Sequence, residues 1–192
     1  MSGLAFTGDM ARLQQAIAEA HDLVVRRGTV LAALNLRTGE RVLELGCGGG
    51  YFAREAAQCV GPTGKVCAID ISPDQIAAAQ DRCAVFDWVE CRTADISAPS
   101  YGDAEFDVVF AVQALEYLAD LDIALRHIHR MLARISQRGG CTGALDLRKS
   151  CWMNGLSQRQ GEARCGQSVA RICLDLHRLK GTRWWPLSMV AG

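Results

Sequence analysis

The sequence predicts an α/β protein with a doubly wound, mostly parallel sheet flanked by helices. Three observations point there. Short, nearly continuous apolar runs such as "FDVVFAV" at 106–112 have the pattern of strands buried on both faces. Those runs alternate with segments of helical periodicity. A cluster of glycines at 46, 48, 49 and 50 joins the first strand to the following helix. The chain has 192 residues, 49% of them hydrophobic and 22% charged, which suits one globular domain with a substantial core.

Each element follows from local pattern. Leu13, Ile17, Ala20 and Val24 recur at spacings of 4, 3 and 4, as on one face of a helix, and a second short helix is expected over 29–34. "RTGE" at 37–40 is a turn, and 41–45 reads as the first strand. The breaker "GPTG" at 61–64 precedes a second strand at 65–70. Ser72 is expected to cap the next helix, with Pro73 at its first position and Gln75 completing a capping box. Residues 88–92 form a weak third strand and 106–112 a fourth. Asp120 caps a helix whose Leu121, Leu125, Ile128, Leu132 and Ile135 repeat by 4, 3, 4 and 3. A fifth strand is read at 141–147, with no convincing sixth or seventh beyond it.

Composition limits the functional classes. The formal net charge is zero, so there is no global electrostatic attraction for nucleic acid or an anionic membrane. No apolar run approaches the ~20 residues of a bilayer span, and the N-terminus lacks the pattern of a secretory signal. The nine cysteines contain no CxxC pair and read as free thiols of a cytoplasmic protein. The spacing of Cys165, Cys173 and His177 matches no zinc pattern, and no metal is expected.

The balance changes near residue 140. Residues 141–192 hold eight of the 21 Lys and Arg but only three of the 21 Asp and Glu, together with three of the four tryptophans. Its periodicity is poor apart from "SVARICLDLHRL". A domain over 1–147, with N-terminal helices in 1–36, is therefore set apart from an atypical basic segment over 148–192. That segment reads as a nucleic-acid or partner surface, a poorly ordered C-terminus or an out-of-frame tail.

Glycines between a strand and a helix let backbone amides approach a ligand closely. The spacing here is G-x-G-x-G through Gly46, Gly48 and Gly50, and Tyr51 stands where a dinucleotide-binding loop has its third glycine. Taken with "LELGCGGG" at 43–50, "CAIDIS" at 67–72 and "TADISAP" at 93–99, the chain resembles the class I S-adenosylmethionine-dependent methyltransferases. Within them it is similar to the small-molecule group that includes ubiquinone- and menaquinone-biosynthesis enzymes. The likeness covers about residues 25–147 and implies a Rossmann-like fold.

The resemblance implies S-adenosylmethionine as cofactor and a small-molecule methyl acceptor. It implies that Glu44 orients the loop and the cofactor amine, and that Gly46, Cys47, Gly48 and Gly50 wrap the methionine portion. Asp70 would accept from the two ribose hydroxyls, with Ile71 against the adenine. Asp95 would accept from the adenine amino group and Ile96 supply a nearby amide. Ala111 and Gln113 would lie near the sulfonium, while Leu115, Glu116 and Tyr117 face or underlie the acceptor.

No residue is singled out as catalytic, because a sulfonium is already an activated leaving group and the protein's task is alignment. His127 and His129 read as surface residues, and His21 is a weak candidate for the mouth of the site. Two other functions compete with methyl transfer: a non-catalytic cofactor-binding or interaction protein that has lost its substrate site, and a nicotinamide dehydrogenase, which Tyr51 and the Asp95 loop disfavour.

Overall fold

A computed structural model describes residues 6–132 and the strand Arg171–Asp175. Five parallel strands form one sheet in the order β3-β2-β1-β4-β5. The strands are β1 (Arg41–Leu45), β2 (Lys65–Asp70), β3 (Val89–Thr93), β4 (Val108–Val112) and β5 (Arg171–Asp175). The helices are α1 (Gly8–Ala18), α2 (His21–Leu34), α3 (Tyr51–Val60), α4 (Pro73–Cys83) and α5 (Leu121–Met131), with a 3-10 turn at Leu115–Tyr117.

Strand alternation explains the two-sided core. Val42 and Glu44 of β1 point to one face, and Leu43 and Leu45 to the other. The first face packs Val42, Val66 and Phe110 against Ala53, Ala57 and Val60 of α3, Ile76 and Ala79 of α4, and Val30 and Leu34 of α2. The second packs Leu43, Ile69 and Val109 against Ile128 and Met131 of α5. β1 and β2 fall where the sequence predicts them, because short, mainly apolar runs bounded by turns suit strands covered on both sides. Strand order reverses at β1, between β2 and β4, so the carboxyl ends of β1 and β4 open a crevice there.

The structure corrects several expectations. Leu13, Ile17, Ala20 and Val24 do not share a helix: α1 stops at Ala18, and Ala20 is extended at φ −61°, ψ 145° as the cap of α2. Leu13, Ile17 and Val24 are 54%, 50% and 45% exposed, so that stripe is no core face. The helix expected over 29–34 is the end of α2. Ser72 does cap α4 by accepting from the Gln75 amide at 3.3 Å, but the capping box is not reciprocal. The Gln75 side chain turns instead to Gln14 and Gln15 of α1, and the Ser72 amide donates to Asp70 Oδ1.

β3 is shifted by one residue, and β4 begins at Val108, Phe106 making only an isolated bridge to Leu132. Asp120 caps α5 as expected, its Oδ1 accepting from the Ile123 amide at 3.1 Å. That helix ends at Met131 and Leu132 is extended. Ile135 and the strand expected at 141–147 lie outside the described residues, as does His177. The strand beside β4 comes instead from Arg171–Asp175, within the stretch 148–192 that the sequence sets apart.

Candidate functional site

The crevice at the carboxyl ends of β1, β2 and β4 is a cleft of about 350 Å³. The described residues lining it include Glu44, Gly46, Cys47, Gly48, Asp70, Ile71, Asp95, Ile96 and Gln113, nine of the eleven positions expected from the sequence. The other two, Gly50 and Ala111, lie outside this lining. Gly50 caps α3 at φ +78°, and a Cβ there would meet Ala79 Cβ at 2.7 Å, so it is a glycine because α3 and α4 pack closely. Ala111 is buried in β4 against the α5 side of the sheet, and its neighbour Val112 lines the cleft instead. His21 is exposed and is not among the lining residues.

The glycine loop is held by backbone and carboxylate together. The amides of Gly46 and Cys47 both donate to the Ile69 carbonyl, at 2.8 and 2.9 Å. The Gly48 amide donates to Asp70 Oδ2 at 2.9 Å, and Asp70 Oδ1 accepts from the Ser72 amide at 2.9 Å. Asp70 therefore ties the loop after β1 to the turn after β2. Gly46 has φ +73°, and a Cβ on it would overlap the Ala114 Cβ. Gly48 has φ +50° with open space where its Cβ would stand, as a ligand-facing backbone needs. Gln113 holds φ +53° without being glycine, a strained conformation at the end of β4 beside the cleft.

The carboxyl groups differ in state. Glu44 is fully buried; burial pushes its carboxyl well above the usual carboxylate range, with the nearby Cys83 and Asp70 adding to the rise and the Ala53 amide opposing it. Its Oε2 is buried without a hydrogen-bond partner. Burial also pushes the Cys47 thiol well up, reinforced by Glu44 and Asp70. A thiol so placed is a packed side chain and a poor nucleophile. Asp95 Oδ1 accepts from the amide and the hydroxyl of Ser97, at 2.8 and 2.7 Å, which fixes the loop after β3.

The sequence reading missed the roof of the cleft. Phe6 and the α1 residues Gln14, Gln15, Ile17 and Ala18 line it, with Leu23, Arg26 and Arg27 of α2. Gln75 anchors this roof: its Nε2 donates to Gln14 Oε1 at 2.5 Å and its Oε1 accepts from Gln15 Nε2 at 3.1 Å. The Gly8 amide donates to Asp74 Oδ2 at 2.6 Å, and the Ser72 hydroxyl donates to the Phe6 carbonyl. Tyr51 joins roof to loop, its hydroxyl 2.7 Å from Glu19 Oε1 and 3.1 Å from the Gln15 carbonyl. Arg82 stacks on the Tyr51 ring at 3.6 Å and donates to the Gly49 carbonyl. Gly49 also lines the cleft.

These residues fit S-adenosylmethionine. The cofactor carries an ammonium and a vicinal diol, which can donate to carboxylate acceptors, and a sulfonium whose positive charge suits a negative wall. The wall offers Glu44 with its unpartnered Oε2, and Asp70 and Asp95 at the ends of neighbouring strands. Open space beside Gly48 gives such a ligand room.

Comparison with known proteins agrees. Residues 42–134 match the family model described as a methyltransferase domain. Over 112 residues the chain is 38% identical to a 27-O-demethylrifamycin SV methyltransferase of Amycolatopsis mediterranei, covering 56% of this chain and 38% of that protein. Over 122 residues it is 31% identical to the chloroplastic 2-phytyl-1,4-beta-naphthoquinone methyltransferase of Arabidopsis thaliana, covering 59% and 44%. The chain thus spans less than half the length of either relative. The fold is similar to that of a SAM-dependent methyltransferase from Aquifex aeolicus, with a TM-score of 0.52 at 24% identity over 56% of this chain and 58% of that one.

Proposed function

We propose that the chain, whose residues 42–134 match the methyltransferase-domain family model, is a class I S-adenosylmethionine-dependent methyltransferase that binds S-adenosylmethionine in this cleft and transfers the methyl group to a small-molecule acceptor. The observation that carries the proposal is the convergence of Glu44, Gly48, Asp70 and Asp95, from the ends of three strands, on one cleft.

The cofactor, when bound, supplies an electrophilic methyl group on sulfur. This chain's residues hold it and shape the space beside it. Asp70 can accept from two adjacent hydroxyls while keeping its bonds to Gly48 and Ser72, because a carboxylate has about four acceptor sites. Asp95 offers an acceptor for an exocyclic amine, and Glu44 one for an ammonium. A positive ligand charge beside Glu44 favours its ionised form, against the burial that raises it. Phe6, Ile17, Leu23 and Tyr117 give the rest of the cleft an apolar lining, against which an acceptor can be aligned for in-line displacement. The names of the two relatives support a small organic acceptor.

A thermal melt tests this reading. S-adenosylhomocysteine at a hundred times its dissociation constant should add about 2.7 kcal/mol of stability by mass action and raise Tm by several degrees. A folded protein that shows no shift at millimolar ligand would refute it.

A further inference from the structure

Helix α4 turns one face to the glycine loop. Gln75, Ala79 and Arg82 follow one another at spacings of 4 and 3, so they share that face. Gln75 holds Gln14 and Gln15 of the roof, Ala79 packs on Gly50, and Arg82 donates to the Gly49 carbonyl. A Cβ on Gly49 would stand 3.0 Å from Arg82 Nη1, 3.2 Å from Gln15 Cγ and 3.5 Å from Gln75 Oε1. The loop at this residue is therefore gripped by the roof and α4 together.

Arg82 reaches the roof as well. Its guanidinium lies 3.6 Å from the centroid of the Tyr51 ring, and its Nη2 is 4.0 Å from Glu19 Oε1. The same Glu19 oxygen accepts from the Tyr51 hydroxyl at 2.7 Å. Glu19 caps the end of α1, and Tyr51 opens α3 directly after the loop. Arg82, Tyr51 and Glu19 thus close a triangle where α1, α3 and α4 meet. The ion pair is its longest side, and the Arg82 side chain is only 20% exposed, so the ring face and the Gly49 carbonyl are the nearer partners of this charge. A planar guanidinium can lie flat on a ring while donating in its own plane, which the compact ammonium of a lysine does less well.

We propose that Arg82 is a positioning residue that couples the roof to the glycine loop, so that a cofactor bound at the strand tips also orders α1. Arg82 is not part of the cleft lining; it acts through Gly49 and Tyr51, which are. One guanidinium holds both, and the Tyr51 hydroxyl carries the link to Glu19 and to the Gln15 carbonyl, 3.1 Å away. The inference rests on the cleft being the cofactor site proposed above.

The test is amide hydrogen exchange on the full chain with and without saturating S-adenosylhomocysteine, together with its affinity by calorimetry. In the parent, the ligand should slow exchange in the loop at 46–54 and in α1 at 8–18 alike. Arg82→Met should keep the protection of the loop, lose that of α1, and bind S-adenosylhomocysteine about 10-fold more weakly, as loss of a hydrogen bond from a charged group allows. Arg82→Lys should recover part of both, keeping the charge without the fork. Tyr51→Phe keeps the ring beneath Arg82 and removes only the hydroxyl; it too should lose the protection of α1, and it decides the matter if Arg82→Met does not fold. Arg54→Met, at an exposed arginine of α3, should change neither readout. No ligand-dependent protection of α1 in the parent, protection that survives Arg82→Met or Tyr51→Phe, a lysine variant no better than the methionine one, or the same losses in Arg54→Met would each overturn the inference and leave the proposed function standing. Failure of S-adenosylhomocysteine to bind the parent would overturn both.

Discussion

The two ends of the cleft are built on different principles. One end is made by strand tips and the loops that follow them, with Glu44, Asp70 and Asp95 set by parallel registers between β1, β2 and β3. The other is made by faces of α1 and α2 and by the turn after β4, held over the strands by side-chain hydrogen bonds such as Gln75 to Gln14 and Gln15. A strand tip is positioned by backbone hydrogen bonds that any sequence can make. A helix face is positioned by its packing partners, which lie 60 residues away in the chain for the Gln15–Gln75 contact. The first end can serve one constant cofactor, while the second can change with the acceptor.

Substitutions at the strand-tip end should therefore act on stability or cofactor affinity, and those at the roof on the acceptor. The largest effect is expected for Gly46→Ala. The new Cβ would overlap Ala114 Cβ at a φ of +73°, combining overpacking with left-handed strain, about 2–4 kcal/mol in all. Chemical denaturation should register this as a lower midpoint with an unchanged slope. A change below about 0.5 kcal/mol would show that the loop relaxes freely.

Asp70→Ala comes next. It removes a charged acceptor, on the order of 1.5–3 kcal/mol, and should weaken S-adenosylhomocysteine binding by about 10–150-fold, whereas Cys47→Ala should stay within a few-fold. Titration of both variants side by side decides it, and an equal or larger loss at Cys47 would mean that the thiol has been undervalued.

Glu44→Gln separates stability from binding. A carboxyl raised in the folded state binds its proton more tightly there than in the unfolded chain, so its burial is least costly at low pH and grows more costly as pH rises from the ordinary carboxylate value through the folded one. Without ligand, Glu44→Gln should therefore be more stable than the parent at pH 8 and nearly equal to it at pH 4, while binding S-adenosylhomocysteine more weakly. Melting curves at the two pH values would expose the opposite trend. The smallest effect is expected on the roof's outer side: Leu13→Gln, at an exposed position on α1, should change stability by no more than about 0.5 kcal/mol.

What the sequence disclosed follows the same division. β1 and β2 were legible to the residue, since a two-sided apolar run bounded by a turn has few alternatives. Glu44, Gly48, Asp70 and Asp95 were expected through the family resemblance, and the structure lines one cleft with them. Gly50 lies outside the cleft lining because the same residue type serves ligand approach and helix packing, and only Ala79 across the interface shows the packing role. The stripe from Leu13 to Val24 carried helical spacing across the turn at 19–20 between α1 and α2, which periodicity cannot detect. Arg26 had no local signal at all, since a charged residue on a helix next to Arg27 looks like ordinary solvated surface. β5 was hidden because the helix before it was followed by a more convincing apolar run at 141–147.

The central claim is that the strand-tip end is an S-adenosylmethionine site and not a dinucleotide site. Isothermal titration of the full chain with S-adenosylhomocysteine and, separately, with NAD tests it most directly. Saturable one-to-one binding of S-adenosylhomocysteine, lost or much weakened in Asp70→Ala, with no heat from NAD, is the predicted result. Binding of NAD in place of S-adenosylhomocysteine, or S-adenosylhomocysteine affinity untouched by Asp70→Ala, would contradict the account.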